Sequence, residues 1–177
     1  MCAVVGAVVL AAGAASRFGS PKQRLMIPAV LARVRGASAI DDIVVVVGAH
    51  DVETDARTVR CADWQRGPGA SLRCGLAALP AETEAAVVVL ADGPKLAPEA
   101  IDRVVAAWRD GDGDVIAASY GGQRGHPVVL GRAVWPTIPD EGARALEPVL
   151  VPCDDLGAPG DVDVPADLRR VEDAGAE

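Results

Sequence analysis

The chain has 177 residues, enough for one domain with a core that needs no metal or disulfide staple. Half of the residues are hydrophobic but only 3% are aromatic, so valine, alanine and leucine must fill that core, as they do in parallel strands covered by alanine-rich helices. A net charge of -8 without any lysine- or arginine-rich run excludes the electrostatic footprint of a nucleic-acid binder, and no stretch is long enough to span a membrane.

The first apolar run, Val4 to Leu10, has the length and valine content of a buried strand, and it passes directly into LAAGAASRFGSPKQ, Leu10 to Gln23. Its Gly6 and the lack of a basic flank make it a poor signal peptide. A strand leading into small residues, two glycines, an arginine and a lysine builds a loop whose backbone can approach a polyphosphate while Arg17 and Lys22 converge on it. Neither G-x-x-x-x-G-K-[ST] nor G-x-G-x-x-G is present, which disfavours a P-loop ATPase and an ordinary dinucleotide binder.

Downstream, Pro28 to Ser38 carries Val30, Leu31 and Val34 at helical spacing, with Pro28 suited to the first turn. A second strand, Ile43 to Val47, completes a βαβ unit, and Thr58 to Cys61 offers a short third strand. Ser71 follows the Gly67-Pro68-Gly69 turn near the start of a helix, where it either caps that helix or faces a ligand. Val87 to Leu90 is another buried strand with Asp92 just past its end, the edge where open α/β sheets bind ligands. Asp92 either opens the Asp-Gly-Pro turn or holds a metal. A helix over Glu99 to Arg109 presents Ile101, Val104, Val105 and Trp108. Two further strands, Val115 to Ser119 and Pro127 to Leu130, flank a glycine turn with R-G-H-P at their junction, which makes His126 a turn residue. Val149 to Cys153 is a late strand. Asp161 and Asp163 share one side of an extended segment before a helix over Pro165 to Asp173, as metal ligands would or as an acidic cap would. One domain over residues 1–173 with frayed residues 174–177 is the expected organisation.

The four cysteines, Cys2, Cys61, Cys74 and Cys153, form no C-x-x-C pair and there are two histidines, so a zinc site is not expected. The thiols read as small buried hydrophobes in a cytoplasmic protein.

Taken together, the R-F-G-x-P-K-Q ending of the first loop, W-x-x-G-x-x-x-S-L-R-x-G-L over Trp64 to Leu76, Asp92, R-G-H-P and D-V-D-V-P-A-D-L resemble the MobA-like nucleotidyltransferases. The alanine of L-A-A-G and the R-G-H-P segment are most similar to the molybdopterin cytidylyltransferase branch. The resemblance implies a three-layer α/β/α, Rossmann-like fold with a mostly parallel sheet. It implies transfer of a nucleoside monophosphate, from CTP, to a phosphorylated acceptor such as molybdopterin, with Mg²⁺. By that resemblance Leu10, Ala11, Ala12, Gly13 and Ser71 bind the nucleoside, Arg17 and Lys22 the triphosphate, Asp92 with Asp163 or Asp161 the metal, and Gly125, His126 and Pro127 the acceptor.

The chain departs from the pattern after Gln23, where the acceptor-side segment is several residues shorter, at Gly93 after Asp92, and at Val164 in place of threonine. Two alternatives remain open: a nicotinamide-dependent oxidoreductase, although no acidic residue ends the second strand to hold a ribose, and a nucleotide-binding module without catalysis.

Overall fold

The computed structural model describes residues 2–13 and 22–160, with the side chains of residues 22–25 excepted. Arg17, Asp161, Asp163, the expected C-terminal helix and the expected frayed end lie outside the described residues, as does the side chain of Lys22.

Among the described residues, seven strands form one sheet in the order β3-β2-β1-β4-β6-β5-β7. They are β1 (Val5–Ala11), β2 (Asp42–Val47), β3 (Arg57–Arg60), β4 (Ala85–Leu90), β5 (Val115–Tyr120), β6 (Gln123–Gly131) and β7 (Val149–Pro152). All neighbouring pairs are parallel except those involving β6, which runs antiparallel to both β4 and β5. Period-two side-chain alternation splits the central strands between two cores. Val5, Ala7, Val9 and Ala11 of β1 pack with helices α1 (Lys22–Gly36) and α3 (Pro98–Arg109), through Ile27, Val30, Ile101 and Val104. Val8 and Ala12 pack on the opposite face with Leu72 and Leu76 of α2 (Pro68–Ala78) and with Leu130 and Ile138. The result is the expected α/β/α arrangement.

Close packing of α2 on the sheet depends on Gly75. A Cβ there would lie 2.4 Å from Val8 Cγ1 and 2.8 Å from Val46 Cγ2, both branched, buried side chains with no room to retreat.

Several sequence expectations need correction. The first helix begins at Lys22, and Pro28 lies inside it. Ile27 is fully buried and extends the stripe of Val30, Leu31 and Val34 by one turn, so burial draws the residues before the proline into the helix. The third strand is Arg57–Arg60, one residue earlier than read, and the late strand ends at Pro152. R-G-H-P is no turn: it lies within β6, and the turn between β5 and β6 is Gly121-Gly122, both at positive φ (59° and 74°) as a tight hairpin requires.

The cysteines also depart from expectation. Cys61 and Cys74 form a disulfide with a Cα separation of 5.8 Å, Cys153 is a buried thiol and Cys2 an exposed one. Cys61 directly follows β3, and α2 lies against that strand, so the fold brings together two cysteines 13 residues apart. Thiol titration of the denatured, unreduced protein is therefore expected to find two reactive thiols and to find all four after reduction; four at the outset would contradict the pairing.

Gly75→Ala separates two opposed effects. On helix propensity alone it would gain about 1 kcal/mol. Overpacking against Val8 and Val46 costs about 1–3 kcal/mol. Urea denaturation is expected to show net destabilisation, and a gain in stability would contradict the close contact.

Candidate functional site

Strand order reverses direction between β1 and β4, the place where α/β sheets open a crevice at their carboxyl ends. These two strands are paired in register from Val5↔Ala85 to Leu10↔Leu90, and the Ala91 N–H donates to Leu10 O at 3.1 Å beyond the last pair. That register carries the backbone of Leu10, Ala11, Ala12 and Gly13 and the turn holding Asp92 to one sheet edge. Ala12 is further fixed by Gly48, where a Cβ would stand 2.7 Å from Ala12 O and 2.6 Å from Trp64 Cγ.

Helix α2 begins at the same edge. Its N-cap is Gly67 and its first residue is Pro68, so Ser71 is not the cap; it lies inside the first turns and is 4% exposed. The helix N-terminus brings a positive dipole end to this edge, but Pro68 has no N–H and the Gly69 and Ala70 N–H groups already donate to Asp140 O and Gly67 O.

The other wall comes from β6. Its pairing with β4 runs from Ala85↔Gly131 to Val88↔Val128 and stops, while β4 continues beside β1 to Leu90. The β5 pairing shifts at the same point: between Ala117↔Val128 and Ser119↔Arg124, three residues, Gly125, His126 and Pro127, oppose Ala118 alone. This bulge, which includes the cis His126-Pro127 bond, peels β6 away from β4. A cavity of about 460 Å³ opens in the gap, bounded by Leu90, Gly93, Leu96, Tyr120, Gly125 and His126. Tyr120 braces the bulge: its hydroxyl donates to His126 O at 2.9 Å, and a Cβ at residue 125 would meet its ring at 2.9 Å, which requires Gly125. Burial pushes the Tyr120 phenol up to about 12, so it stays a donor across the working range.

His126 is half-buried, and its pKa is pushed down to about 4, chiefly by burial and then by the positive charge of Arg124; the Asp92 carboxylate opposes the shift. The imidazole is neutral near pH 7 and supplies a hydrogen bond rather than a charge. Arg124 is itself half-buried, and burial lowers its pKa.

Of the expected site residues, Gly125 and His126 line the cavity and Leu10 to Gly13 and Asp92 lie at the same sheet edge, whereas Ser71 and Pro127 are buried. Arg17, Asp161 and Asp163 lie outside the described residues, and Lys22 is described only as the first residue of α1. Among the described residues no group of three metal-capable side chains is assembled. Sequence reasoning gave no role to Tyr120, to Arg124, or to the segment 140–146. No local pattern in the sequence marks Arg124, whose partners Ala143 and Leu146 lie 19 and 22 residues away.

Comparison with known proteins identifies the family and the fold. The profile of the MobA-like NTP transferase domain matches residues 7–151. The chain belongs to that family. It is a nucleotidyltransferase, with the α/β fold of the nucleotide-diphospho-sugar transferases. Among solved structures, it is similar to Rv0371c from Mycobacterium tuberculosis H37Rv, with 26% identity over 97% of this chain and 98% of that one and a TM-score of 0.77. A manganese complex of Rv0371C from the same organism is 23% identical over 97% and 99% of the two chains, with a TM-score of 0.73. CMP:2-keto-3-deoxy-manno-octonic acid synthetase complexed with CTP is 14% identical over 98% of each chain, with a TM-score of 0.76; at that identity the likeness is one of fold. Comparison with the curated protein sequences finds no significant match. No helix among the described residues is long and apolar enough to cross a membrane.

The depressed His126 pKa has a consequence for stability. Between about 4 and the unfolded value of about 6.5, the unfolded chain binds more protons than the folded one. Stability is then complete above about pH 6.5 and is lost as pH falls toward 4, by at most ~3 kcal/mol for this residue. Urea denaturation of His126→Gln and the unsubstituted protein, at about pH 7.5 and about pH 4.5, is expected to show the smaller acid loss in the variant; equal losses would contradict a buried neutral imidazole.

Proposed function

We propose that the chain transfers CMP from CTP to a phosphorylated small-molecule acceptor, releasing pyrophosphate, and that molybdopterin is the acceptor. The observation that carries this reading is the convergence of the β1 exit, the α2 N-terminus, Asp92 and a neutral His126 on one crevice at the sheet's switch point.

In this reading the backbone of Leu10 to Gly13 runs along the nucleotide, and Ser71 steadies the ribose or base. Arg17 and Lys22 hold the triphosphate. The acceptor enters the cavity beside Gly125, His126 and Pro127. One acceptor phosphate oxygen forms a bond to the α-phosphorus while the bond from that phosphorus to the bridging oxygen breaks, and the electron pair leaves with pyrophosphate. A phosphate monoester has a second pKa of about 6, so it reaches neutral pH largely as the dianion and needs no protein base. His126, uncharged, can then accept or donate a hydrogen bond to the acceptor without holding a proton the reaction must move. The task left to the protein is alignment of the two anions and compensation of their charge.

A nucleotide-bound Mg²⁺ takes one or two carboxylates and fills its other positions with phosphate oxygen and water. Asp92 fits that need: a hard oxygen donor, half-buried, in a turn at the crevice. Asp163, or Asp161, would supply the second carboxylate. A divalent ion held by these carboxylates would offset the charge of the phosphate oxygens and polarise the α-phosphorus. The manganese complex of Rv0371C supports a divalent cation in this family.

Thermal melting with each nucleotide and Mg²⁺ tests the reading. CTP at 100 times its dissociation constant is expected to add about 2.7 kcal/mol, a rise of several degrees in Tm. Asp92→Asn should remove the Mg²⁺-dependent part of that rise. Unchanged melting with both CTP and GTP, together with stabilisation by NADPH, would overturn it.

A further inference from the structure

A second cavity, of about 130 Å³, lies on the far side of Leu90 and His126 from the acceptor cavity. Leu10 and Val88 form its floor, and Pro68 and Leu72 of α2 form one side. The opposite wall is Glu141 to Arg144, part of a segment whose only regular structure is a 3-10 turn at Ala143–Ala145.

This wall is held by two guanidinium anchors. Arg124 Nη2 donates to Ala143 O at 2.7 Å, and its Nη1 donates to Leu146 O at 2.7 Å and, at 3.4 Å, to Arg144 O. At the other end, the Asp140 carboxylate accepts from Arg73 Nη2 at 2.5 Å and from Arg66 Nη2 at 3.2 Å, while Arg73 Nη1 donates to Ile138 O at 2.8 Å. The backbone then locks the wall onto the first turn of α2: Gly69 N–H donates to Asp140 O at 2.9 Å. A Cβ at residue 69 would come within 1.7 Å of Pro139 O, and one at residue 67 within 2.4 Å of Asp140 O. Gly142, at φ 83°, turns the chain back between the two anchors.

An unstructured surface segment does not need two buried or half-buried arginines spent on its carbonyls. Desolvating Arg124 is costly, as its lowered pKa records, and the return is a wall fixed relative to Leu10 and Leu72. Leu10, Pro68 and Leu72 line the cavity on one side and Glu141 to Arg144 on the other, so an occupant would lie between an apolar wall and a polar one.

We propose that residues 140–146 form the wall that selects the nucleobase, and that Arg124, which borders the same cavity, is the positioning residue that sets it. This rests on the reading of the crevice as a nucleoside triphosphate site and adds which part of the chain reads the base. The planar fork of arginine serves carbonyls in several directions at once, whereas lysine is a single point donor. Arg124→Lys keeps the charge and releases the wall.

The test measures binding of CTP, GTP and inorganic tripolyphosphate, each with Mg²⁺, to the unsubstituted protein, to Arg124→Lys and to Arg73→Lys, the last loosening the other anchor. Both variants are expected to weaken CTP by about tenfold, the worth of one lost charged hydrogen bond, and to bring the CTP:GTP affinity ratio toward one. Tripolyphosphate, which has no base, should bind all three proteins alike; a general loss of structure would weaken it as well. A preserved CTP:GTP ratio in folded variants, or tripolyphosphate weakened as much as CTP, would overturn the wall while leaving the transferase reading intact. An unsubstituted protein that binds neither CTP nor GTP would overturn both.

Discussion

The pairing of β1 with β4 is the constraint on which the site depends. These are the two strands whose helical connections depart in opposite directions, and their register, ending at Leu10↔Leu90, decides that the Leu10 to Gly13 backbone and the Asp92 turn face the same crevice. A slip of one residue would exchange the two faces of β1, sending Val5, Val9 and Ala11 from the α1 and α3 side to the α2 side. Burial on both faces forbids that slip, so the hydrophobic core and the ligand site are set by the same interaction.

The second determinant is the place where β6 leaves β4. Because pairing stops at Val88↔Val128 while β4 runs on to Leu90, a gap forms, and the three-residue bulge turns His126 into it. Leu90, Arg124 and His126 border both cavities, the larger one beside Tyr120 and the smaller one beside Leu72. A crevice divided this way suits a reaction that joins two ligands, since each has its own chamber and the partition stands where they meet. Burial keeps that partition uncharged at His126.

Some of this was legible from residue order alone. Valine runs such as Val44 to Val47 and Val87 to Val89 marked the central strands because they are buried on both faces, and Asp92 could be placed at a strand end for the same reason. Pro28 misled because its fixed φ suits a helix start, whereas the burial of Ile27, a tertiary effect, extended the helix before it. His126 was misplaced because glycine and proline neighbours signal a turn, and a bulge inside an antiparallel strand uses the same residues. Cys61 and Cys74 meet only once α2 packs on β3, and the anchoring of 140–146 by Arg124 and Asp140 spans up to 74 residues of sequence, beyond any local pattern. Arg17, Asp161 and Asp163 lie outside the described residues, and their roles rest on the resemblance.

The most direct test of the central claim is hydrogen–deuterium exchange with and without CTP and Mg²⁺. A single site at the β1/β4 switch point predicts slowed exchange in the peptides spanning residues 10–13, 67–72, 90–96 and 140–146, with the 124–127 bulge joining them when a phosphorylated acceptor is added. Protection at the opposite sheet end, around Asp41 to Ile43 and Ala56 to Arg57, with none at residues 10–13 and 90–96, would contradict it.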